Sequence, residues 1–191
     1  MKSIDNYLLK EKNILFRADL NVPVIDGEIS DKSRIISIKS SIKKLRDFDN
    51  KIFLISHFGR PKGKSDNKYS LYFIIKTLQQ ELGVGKIYFL NNFDGSQIQK
   101  TIQTMKKGDI CLFENIRFNS EEEKNDLSFA KKISKNFDAY VNDAFSASHR
   151  KHASIVGITT FLPSYAGHSM VSEIKNINKF VDKSKKPSLA I

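Results

Sequence analysis

A chain of 191 residues that is 40% apolar and holds 14 Phe is long and apolar enough for one domain with a real core, which sets aside intrinsic disorder. Its formal net charge of +11 points to an anionic partner, a nucleic acid or a phosphorylated small molecule, although a coat of solvated Lys gives the same excess with no specific role. A single Cys leaves no disulfide or zinc framework within the chain, residues 1–12 are too polar for a signal peptide, and no apolar run approaches the ~20 residues of a membrane span, so a cytoplasmic setting is expected.

Residues 13–18 (NILFRA) read as the first strand, followed by Asp19, Asn21 and Pro23, where regular pairing ends. Residues 24–29 form a hairpin about Asp26-Gly27. Asp31 is placed to cap a helix over residues 32–46, in which Ile35, Ile38, Ile42 and Leu45 recur at helical spacing and Arg34 lies in the first turn. A second strand at residues 51–56 feeds His57, Gly59 and Arg60. A helix over residues 69–82 turns Leu71, Ile74, Ile75, Leu78 and Leu82 inward, and Gly83 stops it.

A strand at residues 87–90, a short helix at 96–106 and a strand at 110–113 follow, the last with Cys111 as a core residue. The acidic run 121–123 is expected to be a solvated loop. Asp126 caps a helix over residues 127–135, whose late Lys131, Lys132 and Lys135 suit the negative end of its dipole. A strand at residues 137–141 opens the stretch YVNDAFSASHRKHAS at 140–154, which masses Asn142, Asp143, His149, Arg150 and His152 just past an apolar run. A helix over residues 153–161 ended by Pro163, a helix over 172–183 and a strand beginning within 185–191 complete the reading. Strand and helix alternate, so the expected fold is a Rossmann-like α/β domain, a parallel sheet with helices on both faces.

Three lookalike motifs fail on spacing or chemistry. Gly59 and Gly63 are separated by three residues where a P-loop needs four. Gly83-Val84-Gly85 precedes a strand instead of following one. Asp19 resembles the nucleophile of dehalogenase-type phosphatases, but Asn21 stands where a general acid is required.

Lys outnumbers Arg 26 to 6, so the placement of Arg is informative. Arg17, Arg34, Arg60, Arg117 and Arg150 all fall at a predicted strand end or helix start; only Arg46 sits late in a helix. The planar guanidinium grips phosphate and carboxylate at two points, which Lys cannot imitate. In a parallel sheet the strand ends share one edge, where ligands bind. Arg17, Arg34, Arg60, Arg117, Arg150 and His57, with Asp19 and Asn21, therefore describe a pocket for a small polyanion that also carries hydroxyls. Taken singly, Arg17 could pair with Asp19, Asn142 and Asp143 could cap loops, and His168 is incidental.

The stretches RADLNVP (17–23), SHFGRPK (56–62), LFENIRF (112–118), EEKND (122–126), 140–154 and FLPSYAG (161–167), in that order, resemble the phosphoglycerate kinase family. The resemblance implies two Rossmann-like lobes joined by a hinge, with this sequence matching only the amino-terminal, 3-phosphoglycerate-binding lobe. Residues 1–184 would form that lobe, and 185–191 would begin the crossing into a nucleotide-binding domain outside these 191 residues. By the same resemblance Asp19 and Asn21 bind the substrate hydroxyl and neighbouring oxygens. His57, Arg60, Arg117 and Arg150 hold the C3 phosphate of 3-phosphoglycerate or 1,3-bisphosphoglycerate, and Arg34 is catalytic, stabilising the phosphoryl group in flight. ATP or ADP with Mg would be bound by the other lobe, and none of these residues is a metal ligand. The expected state is a glycolytic, monomeric enzyme part that binds substrate but does not transfer phosphate by itself. Two departures stand out: Ser146-Ala147-Ser148 where the family usually has Gly-Thr or Gly-Ala before the central His, and His168-Ser169-Met170 where it usually has Leu-Met after Ala-Gly. A basic α/β nucleic-acid-binding domain and a degenerate, non-catalytic lobe are the alternatives.

Overall fold

The computed structural model describes residues 1–182; the boundary at 184 and the strand expected within 185–191 lie outside them. The chain runs β1 (Asn13–Arg17), β2 (Val24–Ile25), β3 (Glu28–Ile29), α1 (Ser33–Ser37), α2 (Lys39–Asp47), β4 (Lys51–Ile55), α3 (Ile75–Leu82) and β5 (Ile87–Leu90). It continues through α4 (Gly95–Thr104), β6 (Ile110–Phe113), α5 (Ser120–Glu123), α6 (Leu127–Ser134), β7 (Ala139–Asn142), β8 (Ser164–Ala166) and α7 (His168–Asp182). Six strands form one sheet in the order β5-β6-β4-β1-β7-β8, every neighbour parallel, while β2 and β3 make the separate hairpin about Asp26-Gly27.

The sheet is buried on both faces, and alternate residues divide between two cores. Ile14, Phe16, Ile52, Leu54, Ile110, Leu112 and Val141 pack with Ile35, Ile42, Leu45 and Leu78 of α1, α2 and α3 and with Ile38 between the first two. Leu15, Phe53, Ile55, Cys111, Phe113 and Tyr140 pack with Ile98, Phe129, Ala130 and Ile133 of α4 and α6. Near-continuous apolar strands are what a two-sided parallel sheet requires. In the second core Phe93 stacks on Phe113 at 4.5 Å between ring centroids, and Phe137 lies 5.1 Å from Phe53; such pairs add about 0.5–1.5 kcal/mol each beyond their burial.

Several local expectations need correction. The helix predicted over 32–46 is broken at Ile38 (φ −84°, ψ −8°), next to Ser37, whose hydroxyl donates to the Arg34 carbonyl (2.9 Å). Asp31 still serves its start, accepting from the Ser33 amide at 2.8 Å. The first half of the helix predicted over 69–82 is a pair of 3-10 turns, Asn67–Tyr69 and Tyr72–Ile74. There the Ser70 hydroxyl and Leu71 amide both donate to the Glu114 carboxylate at 2.7 Å. Gly83 does end α3, at φ +64°.

The acidic run is not a solvated loop. It forms α5, with Glu122 completely buried. The helix predicted over 153–161 shrinks to a 3-10 turn at Gly157–Thr160, and the Ala153 and Ser154 amides ahead of it donate to the Glu122 carbonyl and carboxylate. Strand β8 was not predicted: it is three residues long behind Pro163, and its outer edge is paired by residues 2–4. Helix α7 begins four residues before the predicted 172, because Ser41 accepts from the His168 amide (2.8 Å) and Asp143 from the Met170 amide (2.9 Å).

Candidate functional site

The strand order places the site. The chain passes from β1 outward to β4 and the β6 side, then crosses back to β7 on the other side of β1, so connections diverge around β1. In open α/β sheets the crevice at such a reversal, beyond the carboxyl ends of the strands, receives ligands. The segments leaving β1, β4 and β7 meet there. They enclose a cavity of about 120 Å³ lined by Asn21, Arg34, His57, Ser146, Ala147 and Arg150. That is well below the roughly 300–1,000 Å³ of pockets for larger ligands and suits a compact polar group.

Asp19 is buried beside this cavity. Its Oδ2 accepts from Arg34 Nη1 and from the Ser146 hydroxyl, and its Oδ1 accepts from the Asn21 amide at 3.2 Å. Asn21 Oδ1 accepts from the Gly59 amide at 2.9 Å, which leaves the Asn21 side-chain NH₂ to donate. The Gly59 carbonyl in turn accepts from Arg117 Nη1 at 2.9 Å. Gly59 adopts φ +60°, and a Cβ there would stand 2.4 Å from the Tyr69 ring. Glycine is therefore required at this clamp.

His57 is buried, and burial together with the Arg17, Arg117 and Arg150 charges lowers its pKa to about 2. Its Nδ1 lies 3.1 Å from Arg17 Nη2. A guanidinium can only donate, so Nδ1 accepts and the neutral ring carries its proton on Nε2.

The predicted residues thus divide. Asn21, Arg34, His57 and Arg150 line one cavity, and Asp19 is bonded to it. Arg117 is buried and reaches the site through the Gly59 carbonyl; its Nε is 3.2 Å from Glu123 but not aligned for a hydrogen bond. Arg60 follows Gly59 in the same loop and is exposed, outside the cavity lining. His149 is exposed as well. His168 bonds Asp5 and Ser40 on the surface. Arg17 does not pair with Asp19: its fork turns into the sheet, toward Ser154, the Ala18 carbonyl and His57. A larger cavity of about 890 Å³ shares Asn21 and Gly59 but is walled mainly by Phe58, Tyr69, Tyr72, Phe73 and Phe89, with Lys68 and Glu114 as its charged groups and no arginine.

A profile of the phosphoglycerate kinase family matches residues 4–191. The chain belongs to the phosphoglycerate kinase family. It is 48% identical over 189 residues to a phosphoglycerate kinase of Wolbachia pipientis wMel, covering 99% of this chain and 47% of that one. Among solved structures, phosphoglycerate kinase from Pyrococcus horikoshii OT3 superposes with a TM-score of 0.87 at 26% identity, over 98% of this chain and 47% of that one. The Coxiella burnetii enzyme gives 0.84 at 29% identity, over 97% and 46%. The chain spans about half the length of the curated relatives it matches.

Sequence reasoning passed over three residues of this family member. Ser146 was noted only as a departure, yet it lines the cavity and donates to Asp19. The loop accommodates it with no positive φ from Ser146 to Ser148. Glu122 and Ser154 lie behind the cavity, and their separation by 32 residues hid their contact.

Proposed function

We propose that residues 1–184 form the 3-phosphoglycerate-binding lobe of a phosphoglycerate kinase. The parent reaction is the exchange of a phosphoryl group between 1,3-bisphosphoglycerate with ADP and 3-phosphoglycerate with ATP. The observation that carries this reading is the cavity lining: Arg34, Arg150, the His57 Nε2–H and the Asn21 amide are all donors, grouped around one carboxylate, Asp19. Such a set suits a small phosphorylated hydroxy acid.

In this reading Arg150, His57, Arg117 and Arg60 hold the C3 phosphate, and Asp19 and Asn21 bind the hydroxyl and its neighbours. Arg34 leaves Asp19 to meet the carboxyl end and neutralise charge on the group in flight. Phosphoryl transfer depends on positioning and charge neutralisation more than on covalent help, so a rigid guanidinium is the appropriate group. Among the described residues no cluster of three His, Cys, Asp or Glu is arranged to hold a metal. Magnesium and the nucleotide do not fit this cavity, and the proposal assigns them to residues elsewhere. The protein is read as a cytoplasmic monomer that does not bind nucleic acid; no helix among the described residues is long and apolar enough to cross a membrane.

Calorimetric titration tests the reading. The 191-residue chain should bind 3-phosphoglycerate and show no ATP-dependent turnover. Arg150→Ala should weaken binding by roughly 10- to 100-fold, the equivalent of about 1.5–3 kcal/mol for a charge-assisted hydrogen bond. Equal affinity in the variant would overturn the role given to Arg150, and steeply salt-dependent binding to duplex DNA in place of the acid would favour the nucleic-acid alternative.

A further inference from the structure

Behind the cavity lies a buried chain of polar groups that touches no part of it except one ring. Glu122, on α5, is completely buried, and its two oxygens accept from the Ser154 hydroxyl (2.6 Å) and the Ser154 amide (2.8 Å). With its proton given to Glu122, the Ser154 Oγ has only lone pairs left, and it accepts from Arg17 Nε at 3.0 Å. Tyr140 fixes the same residue from β7, donating to the Ser154 carbonyl at 2.6 Å. Arg17, also buried, is thereby held with its far edge against the Ala18 carbonyl and the His57 Nδ1.

The direction of every bond in this chain is forced. A carboxylate can only accept, so the Ser154 hydroxyl must donate to it. A guanidinium can only donate, so Ser154 and His57 must both accept from it. The end product is a neutral imidazole with its proton on Nε2, the nitrogen left free to face an anion. A different rotation of Ser154 or Arg17 would release Nδ1, and the opposite tautomer would then present a lone pair to the ligand.

We propose that Glu122, Ser154 and Arg17 are positioning residues for the phosphate site, a relay that starts at a buried carboxylate and fixes His57 as the Nε2–H donor. Arg17, on this account, is a structural cation turned away from the ligand and not one of the arginines that grip it. Glu122 supplies the negative charge that lets Arg17 stay buried near Arg117 and Arg150. The inference rests on the binding role proposed above, but its geometry can be tested without substrate.

The test uses nitrogen-15 NMR of the histidine rings in the ligand-free 191-residue chain, with His57→Gln to assign the signal. Wild type should show His57 with a protonated Nε2 and an accepting Nδ1. Ser154→Ala, which removes the linking oxygen, and Glu122→Gln, which keeps the shape but lets an amide NH₂ compete for Ser154, should each move the ring toward a mixture of tautomers. Each should weaken 3-phosphoglycerate binding at least about tenfold. Ile133→Val, in the core beneath α6 and off the relay, should lower the melting temperature without moving either readout. An Nδ1-protonated His57 in wild type overturns the relay, and so do unchanged ring shifts in a folded Ser154→Ala chain. Expected ring shifts with no 3-phosphoglycerate binding by wild type would overturn the functional reading and the positioning role while leaving the tautomer assignment intact.

Discussion

At the scale of single residues, His57 carries a measurable consequence for stability. Its pKa in the folded chain is lowered to about 2, while in the unfolded chain it would titrate near the ordinary histidine value of about 6.5. Between those values the unfolded state binds a proton that the folded state refuses, so stability is complete above about pH 6.5 and falls as the pH drops. By pH 4.5 the loss from this one group is roughly 2–3 kcal/mol. Urea unfolding at pH 7.5 and 4.5 should show a smaller acid penalty in His57→Gln than in wild type. His152 is shifted in the same direction, chiefly by burial, and steepens the same limb. Which residues could be read from the sequence follows from the same local logic. Arg34, His57 and Arg150 were legible because rare residue types sat at strand ends or helix starts. Glu122 was not, because three consecutive Glu give no local sign of which one the fold will bury.

Among elements, the loop leaving β4 is the most tightly specified. Gly59 is held from both sides, its amide by Asn21 and its carbonyl by Arg117, with the Tyr69 ring closing the space above it. Gly59→Ala should therefore cost about 1–3 kcal/mol in strain and overpacking and also displace Asn21 and Arg117, weakening 3-phosphoglycerate binding. Gly167→Ala is the contrast: its Cβ would meet the Asp143 carboxyl at 2.3 Å, at the start of α7 and away from the cavity lining. It should lower stability with little change in affinity, and calorimetry on the two variants separates the effects. The central strands were readable because a buried parallel sheet demands unbroken apolar runs. The starts of α3 and α7 were not, because Glu114, Ser41 and Asp143 supply their end contacts from distant parts of the chain.

For the whole molecule, the order of the strands brings the site together. Loops that begin at residues 18, 56 and 143 become neighbours because β4, β1 and β7 are adjacent. The alternation of elements made a shared edge foreseeable, but not that Arg60 and Arg117 would stand outside the inner cavity. The scattered Lys coat has its own effect at this scale. A net charge of +11 should speed encounter with a small polyanion, so stopped-flow association with 3-phosphoglycerate should slow markedly between 10 and 200 mM salt, with dissociation changing less.

The short edge strand β8 illustrates how the start of a chain can guard its middle. The Lys2 carbonyl and the Ile4 amide occupy the hydrogen-bonding positions that Ala166 of β8 would otherwise offer to a strand of another molecule. Trimming those few amino acids would uncover an unpaired backbone edge, and self-association, read by light scattering, would follow before any loss of the ligand cleft.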